Sequence, residues 1–544
     1  MRNLKQKINK AIFKALKLKN YPNKNFTLSP PKIESFGHLS SNIALLLSKE
    51  IKKSPLEIAE GIAEEIRKEN LNIIKSITVS KPGFINFKIV KKYFQDIINS
   101  ILEKKDNYGN QNLGLGKTAN VEFVSANPTG PLTIGHGRNA IIGDTISNIL
   151  EWHGYDVTRE YYYNDAGKQM RMLSESVKSR YYELINKTSS FPSEGYQGDY
   201  IKEIARNLFE KHGELLEKKN PIFGEFAENE IFNKIKNTLN RLNINFNVFS
   251  NEKSFYESGA IKKVLKNLKE KKLIYEKDNA TWFKASEAGG IQDRVYIKST
   301  GELTYRLPDT AYHIDKVNRQ YDLIIDVFGA DHADAYPDVI NALTALDINT
   351  SHIKVLIYQF VTLLKSGEKV KMSTRKGEFV TLDTLLNEVG LNATRYFFIM
   401  RSMNSHLDFD LDLAKDESEK NPVFYLQYAH ARICNIIARS LNAGYKKNMV
   451  FETKLLDHED EIRLLIYLSE FSDIMELALE TLEPQILVNY LQKIASQFHR
   501  FYGKCRVIVD DENLSKSRIA LIKSVQIVLS NGLSIIGIEA PKKM

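Results

Sequence analysis

β-Branched and aromatic residues at 121–124 are followed by a loop containing proline and glycine, a helical stretch ending at Gly154, and a second strand-like run at 157–163. That order is a βαβ unit, and it constrains this chain more than any other feature. Two strands of one sheet joined through a crossover helix lie parallel. The helix rests on Ala140, Ile141, Ile142, Ile146, Ile149, Leu150 and Trp152, which recur at helical spacing along one broad apolar face. Apolar runs at 321–327 and 353–356 continue the alternation of strand and helix to about residue 365. The expected fold class is therefore α/β, with a Rossmann-type parallel sheet whose strand ends open on a nucleotide-binding crevice.

At 544 residues the chain exceeds a single hydrophobic core, so further domains flank that sheet. Residues 1–112 mix helical patterns with strand-like runs at 77–80 and 84–89, broken by Lys81-Pro82-Gly83, and read as an α+β domain. Residues 106–117, rich in Asn and Gly, have the composition of a linker. The parallel-sheet domain then spans 113–410 and carries a charged, largely helical insertion near 165–245. Beyond Asp412 the strand patterns stop, while 425–440, 461–479 and 518–529 show helical periodicity, so 411–544 is expected to be an all-α helical bundle. Gly116-Lys117-Thr118 looks like the end of a phosphate loop. That motif requires a glycine at 111, where Gln111 stands, and a helix rather than a strand afterwards, so it is read as a linker turn.

Lysine and arginine outnumber aspartate and glutamate, giving a formal net charge of +9 and a pI near 9.0, which suits a polyanionic partner such as nucleic acid. Cys434 and Cys505 can build neither a disulfide framework nor a cysteine-based zinc site, and a reducing cytoplasm is the expected location. The lysine-bearing N-terminal segment lacks the apolar core of a signal peptide and reads as a solvated helix face rather than an RNA or membrane contact. No apolar run approaches a membrane span, and no membrane partner is expected.

Two loops carry the chemistry. Ser125-Ala-Asn-Pro-Thr-Gly-Pro-Leu-Thr-Ile-Gly-His-Gly-Arg138 lies between the first strand and its helix, where strand end and helix N-terminus form an anion-binding crevice. Gly135 and Gly137 let a ligand approach the backbone, and His136 can donate to a phosphate or stack beside an adenine. Lys371-Met-Ser-Thr-Arg-Lys-Gly377 is a cationic loop past the last α/β segment that can close over a triphosphate. Singly, each also reads as a turn or a solvated basic loop. As a pair they flank the α/β region.

Together the loops resemble the HIGH and KMSKS signatures of class I aminoacyl-tRNA synthetases. The surrounding blocks resemble arginyl-tRNA synthetases over nearly the whole chain: Glu122-Phe-Val-Ser-Ala-Asn-Pro-Thr-Gly-Pro131, Tyr161-Tyr-Tyr-Asn-Asp-Ala-Gly167, Tyr256-Glu-Ser-Gly259, Asp293-Arg-Val295, Thr304-Tyr-Arg-Leu-Pro-Asp-Thr-Ala-Tyr-His313, Gly329-Ala-Asp-His332, Asn421-Pro-Val-Phe-Tyr-Leu-Gln-Tyr-Ala-His-Ala-Arg432 and Leu533-Ser-Ile-Ile-Gly-Ile-Glu-Ala-Pro541. There are two departures. Thr133 stands where the family usually has the first histidine of its HIGH-type motif, and Thr374 replaces the second lysine of KMSKS. Lys376 can supply the missing charge from two residues along.

The resemblance implies a ligase that activates L-arginine with ATP and Mg²⁺, then transfers it to tRNA(Arg), acting as a monomer and needing bound tRNA for activation. It implies catalytic roles for His136, Lys371 and Ser373, with Thr133, Gly135, Gly137, Met372 and Lys376 completing the ATP site; no residue is assigned to a metal. Glu122, Asn127, Glu252, Tyr305, Asp309 and Asp331 fall at the family's arginine contacts, Asn127 near the α-amino or carboxylate end. Asp309 follows Tyr305 by four residues, a spacing that on a helix places carboxylate and ring on one face, suited to a stacked and hydrogen-bonded guanidinium. The C-terminal bundle resembles the family's anticodon-binding domain, for which Tyr425, Tyr428, His430, Arg432, Phe498, Tyr502 and Arg506 offer aromatic and basic groups, some of them core. The N-terminal domain resembles the family's module for the tRNA elbow. Two other readings stay open at this point: a silent paralogue that only binds tRNA, given Thr133 and Thr374, and another class I nucleotidyl-transfer enzyme.

Overall fold

The central strands mix apolar residues with buried polar ones such as Asn120 and Glu160, and they form the expected parallel sheet. The computed structural model describes residues 2–187, 189–217, 220–370, 380–446 and 449–544. Strands β1 (Thr118–Glu122), β2 (Asp156–Tyr163), β3 (Val248–Asn251), β4 (Leu323–Gly329) and β5 (Ile353–Tyr358) lie in the order β5-β4-β1-β2-β3. Every neighbouring pair is parallel. The direction of strand addition reverses between β1 and β4, so the ligand crevice belongs beyond their carboxyl ends.

Helix α1 (Ile134–Trp152) crosses from β1 to β2, α2 (Arg306–Asn318) leads into β4, and α3 (Leu382–Ile399) packs against α1. Gly143 lets α1 lie directly on the sheet, since a Cβ there would sit 2.2 Å from Phe123 Cγ. The charged insertion is helical as read, formed by Gly167–Leu184, Asp199–His212 and Ile222–Arg241. Two small sheets were not anticipated. Ile274–Lys277, Ala280–Phe283 and Arg294–Ile297 make an antiparallel meander, and Val361–Lys365, Glu368–Lys369 and Leu407–Asp410 make another three-stranded sheet.

The N-terminal region is α+β. Ile74–Ser80 and Phe84–Ile89 pair antiparallel within a four-stranded sheet, covered by helices such as Pro55–Lys68, which buries Ile58, Ile62 and Ile66. The C-terminal region is a bundle of α4 (Pro422–Asn442), α5 (Glu459–Thr481), α6 (Gln485–Lys504) and α7 (Glu512–Ile535). Asn421 and Asp511 cap α4 and α7 by accepting from backbone N–H groups of their first turns.

The reading of 106–117 as a plain linker needs correction. Tyr108 is 4% exposed and its hydroxyl donates to Leu468 O at 3.1 Å. Asn531 Nδ2 donates to Lys105 O and Tyr108 O at 3.0 and 3.2 Å, and Gln111 Nε2 donates to Ser472 O at 2.8 Å. Asn and Gly enrichment here serves packing against α5 and α7 rather than freedom: a Cβ on Gly109 would lie 2.5 Å from Phe471 Cε1.

Candidate active site

Beyond β1 the backbone makes a strained exit. Val124 and Ser125 have φ of 67° and 43°, left-handed values that a β-branched residue resists. Asn139 holds the turn, accepting from Val124 N at 2.6 Å and donating to Val327 O at 2.8 Å. Ser125 Oγ donates to Glu122 Oε1 at 2.9 Å, so the loop is tied to the end of its own strand.

Thr133 is the N-cap of α1, and its backbone N–H donates to His136 Nδ1 at 3.1 Å. The Thr133 hydroxyl is also turned toward that nitrogen, at 3.2 Å. Burial pulls the His136 pKa down to about 4 against a smaller opposing pull from Asp331. The neutral ring therefore carries its proton on Nε2, free to donate to a phosphate oxygen. Gly135 is open, with Thr133 Oγ1 3.8 Å from an added Cβ. Gly137 is not a ligand-approach glycine: a Cβ there would meet Leu382 Cδ1 at 2.6 Å and Phe398 Cε2 at 3.1 Å, so its role is the close packing of α1 on α3.

Lys371, Met372, Ser373, Thr374 and Lys376 lie outside the described residues. The chain that resumes after them returns to the histidine loop. Thr381 bridges Thr133, and Leu382 N donates to Leu132 O at 2.8 Å.

The acid-rich end of the crevice is built by β1, β2, α2 and the short helix Glu252–Glu257. Glu252 is 5% exposed and accepts from the hydroxyls of Tyr162 and Tyr256, each at 3.2 Å. Tyr162 stacks on Tyr312 with centroids 4.2 Å apart and planes 13° from parallel. Burial raises the pKa of Glu252, and it raises that of half-buried Asp309 to about 7, opposed by His313. Among the described residues neither carboxylate forms an ion pair. Glu122, by contrast, is already bonded to Lys316.

The remaining expected arginine contacts are spread. Asn127 joins Gln169 and Asn164 N at 2.8 and 2.9 Å at the rim. Tyr305 precedes α2 and is 67% exposed at the mouth, whereas Asp309 turns inward. Asp331 is exposed and its charge acts on His136 and Tyr358, which groups it with the ATP loop. Sequence reasoning missed Asn139, Tyr162, Tyr312 and Lys316. The signal for Tyr162 was strand alternation, which sets it opposite Tyr161 and Tyr163.

In the bundle, Tyr428, Arg432 and Tyr502 line a cavity of about 190 Å³ with Asn435, Arg439 and Met544. The Arg432 guanidinium lies 4.4 Å from the Tyr428 ring centre and 5.5 Å from that of Tyr502. Tyr425 leans on His499 at 4.7 Å, and Arg506 is exposed beyond α6. Phe498 and His430 are corrected to packing residues. Phe498 is fully buried, and His430, 3% exposed, donates from Nδ1 to Pro541 O at 2.8 Å.

Three family models match in chain order. They are the arginyl tRNA synthetase N terminal domain over 2–89, the tRNA synthetases class I (R) catalytic domain over 97–405, and the DALR anticodon binding domain over 426–544. An arginine–tRNA ligase of Salinibacter ruber is 45% identical over 95% of both chains, and one of Desulfotalea psychrophila is 46% identical over 95% of both. The solved arginyl-tRNA synthetase of Thermus thermophilus, 20% identical, shares the fold with a TM-score of 0.78 over 99% of this chain and 100% of its own. With each of its regions matched and curated relatives aligned over 95% of its length, the chain belongs to the arginyl-tRNA synthetases of class I.

Proposed function

We propose that this chain activates L-arginine with ATP to give arginyl-adenylate and pyrophosphate, then transfers arginine to the terminal ribose of tRNA(Arg). The observation that carries this reading is the pair Glu252 and Asp309, desolvated carboxylates that form no ion pair among the described residues, beside a Tyr162–Tyr312 stack and next to the loop that holds His136. A guanidinium supplies the missing charge and a fork of donors.

The arginine carboxylate attacks the α-phosphorus, pyrophosphate leaves, and a ribose hydroxyl of tRNA then attacks the acyl carbon to release AMP. No protein nucleophile is needed, so the protein acts by positioning and by donors aimed at developing charge. His136 donates from Nε2 to the triphosphate, with Gly135 leaving room for it. Lys371, Met372 and Ser373 complete the ATP site by the family resemblance, the lysine offering charge to the triphosphate. Lys376, two residues along the sequence, supplies the cation absent at Thr374. No side chain is assigned to Mg²⁺; held by triphosphate oxygens, it would supply neutralising charge there. Tyr428, Arg432 and Tyr502 suit a splayed-out anticodon base, stacked on a ring and facing a cation. We assign the divisions near 112 and 410, a monomeric state and a cytoplasmic location from the sequence pattern and the likeness to that family.

Exchange of labelled pyrophosphate into ATP, driven by arginine with and without tRNA, tests the reading. Exchange with arginine in the presence of tRNA is expected. Exchange with a different amino acid would point to another enzyme, and none under any condition would leave a tRNA-binding paralogue.

A further inference from the structure

Three carboxylates stand side by side on one face of the central sheet. The register of the parallel strands pairs Glu122 with Asp326 on one side and with Glu160 on the other. None of the three is more than 2% exposed. Neighbouring strands run about 4.8 Å apart, a spacing at which buried like charges need paired cations.

Helix α2 and its C-cap residue Arg319 supply them one turn apart. Arg319 grips Glu160 with both terminal nitrogens, at 2.9 and 3.0 Å. Lys316, fully buried, bonds to both Glu122 and Asp326. His313 Nε2 lies 3.1 Å from the second oxygen of Asp326, while Nδ1 lies 2.8 Å from the carbonyl of Asp309. Both His313 partners accept only, so both ring nitrogens carry protons and the imidazole is cationic. Three cations on one helix thus match three anions on three strands. The charge left over belongs to Glu252 and Asp309. Asp309 shares α2 with Lys316, two turns away, so whatever fixes α2 along the sheet fixes Asp309.

We propose that Lys316 is a positioning residue for the arginine substrate: by bridging β1 and β4 from α2 it sets the span between Asp309 and Glu252 that a guanidinium must fit, and it keeps Glu122 from competing for that guanidinium. The inference rests on the arginine-activating function proposed above. Lys316 touches neither substrate nor reacting atoms in this role.

The test is tRNA-dependent pyrophosphate exchange by the full-length enzyme carrying Lys316→Met, Lys316→Arg, or Lys316→Met with Asp326→Asn. The double variant removes one charge of each sign, so the buried array stays balanced and the fold is retained if charge balance alone matters. We expect Lys316→Met to lower the melting temperature and the double variant to recover most of that loss. The Michaelis constant for arginine should nevertheless stay about tenfold raised in the double variant, with that for ATP within about twofold, because a small misplacement is felt only by the group that is misplaced. Lys316→Arg should recover most of the arginine affinity. A folded double variant with the wild-type Michaelis constant for arginine, or with both constants raised together, overturns the proposal. A wild-type enzyme without arginine-dependent exchange overturns it together with the functional reading, whereas active wild type beside an unaffected double variant removes this inference alone.

Discussion

The backbone N–H of Thr133 donates to Nδ1 of His136, and that bond decides which proton the imidazole has to give. With Nδ1 accepting, the donor is Nε2, and the pKa near 4 keeps the ring uncharged at neutral pH. His136→Ala is expected to lower the exchange rate roughly 10²-fold, the usual loss for one preorganised donor. Thr133→Val keeps the backbone donor and should change it by less than about threefold, while Lys376→Ala should produce a larger fall. Equal losses in Thr133→Val and His136→Ala would mean that the Thr133 hydroxyl, not the ring, meets the triphosphate.

Asp309 ties arginine affinity to pH. Burial lifts its carboxyl from 3.8 to about 7, so the empty folded protein keeps a proton that the unfolded chain has released. The stability this group contributes is present below 3.8 and is lost as pH rises through 7. A guanidinium needs the ionised form. kcat/KM for arginine should therefore rise from pH 6 to pH 8 around the value near 7, with no matching rise in kcat/KM for ATP. Asp309→Asn should abolish that rise and increase the arginine Michaelis constant about 10²-fold, the ~3 kcal/mol of a lost buried charge pair. A larger effect on ATP would take Asp309 out of the arginine pocket.

Gly135 and Gly137, two residues apart, should fail differently. Gly137→Ala drives a methyl into Leu382 and Phe398 and should cost about 1–3 kcal/mol of stability, read from denaturant midpoints. Gly135→Ala meets open space, so its midpoint should stay near wild type while the Michaelis constant for ATP rises. The reverse pattern would restore Gly137 to the ligand side.

On the bundle, Tyr502→Ala should raise the Michaelis constant for tRNA by the ~1–3 kcal/mol of one lost base stack, without altering the melting temperature. Phe498→Ala should do the opposite, costing about 3–5 kcal/mol of stability from a fully buried site. Matching tRNA affinities in the Tyr502 variant and wild type would remove the cavity at Tyr428 from RNA recognition.

The parallel sheet and the bundle were legible because the runs at 321–327 and 353–356 are mostly apolar, proline and glycine punctuate the βαβ order before 163, and amphipathic helices are periodic. The small sheets were not, although Asp278-Asn279 and Ser366-Gly367 both carry the paired positive φ of tight hairpins. Short polar strands beside those turns offer little periodicity to find. In the site, His136 was legible from its place between strand and helix. The array of Glu122, Glu160 and Asp326 was not, because pairing between distant strands decides which carboxylates become neighbours. The acid inside an otherwise apolar strand at Asp326 was the available hint. Phe498 and Tyr502 show the same limit in the bundle: one helical turn apart on α6, one faces the core and the other solvent.

Anchored at Tyr108 and Gln111, the connection between the first two regions runs along the bundle, and Lys5 adds an ion pair to Asp473 at 2.6 Å. The first region is therefore fastened to the bundle near both of its own ends, and loosening Tyr108 would free one fastening while Lys5 keeps the other.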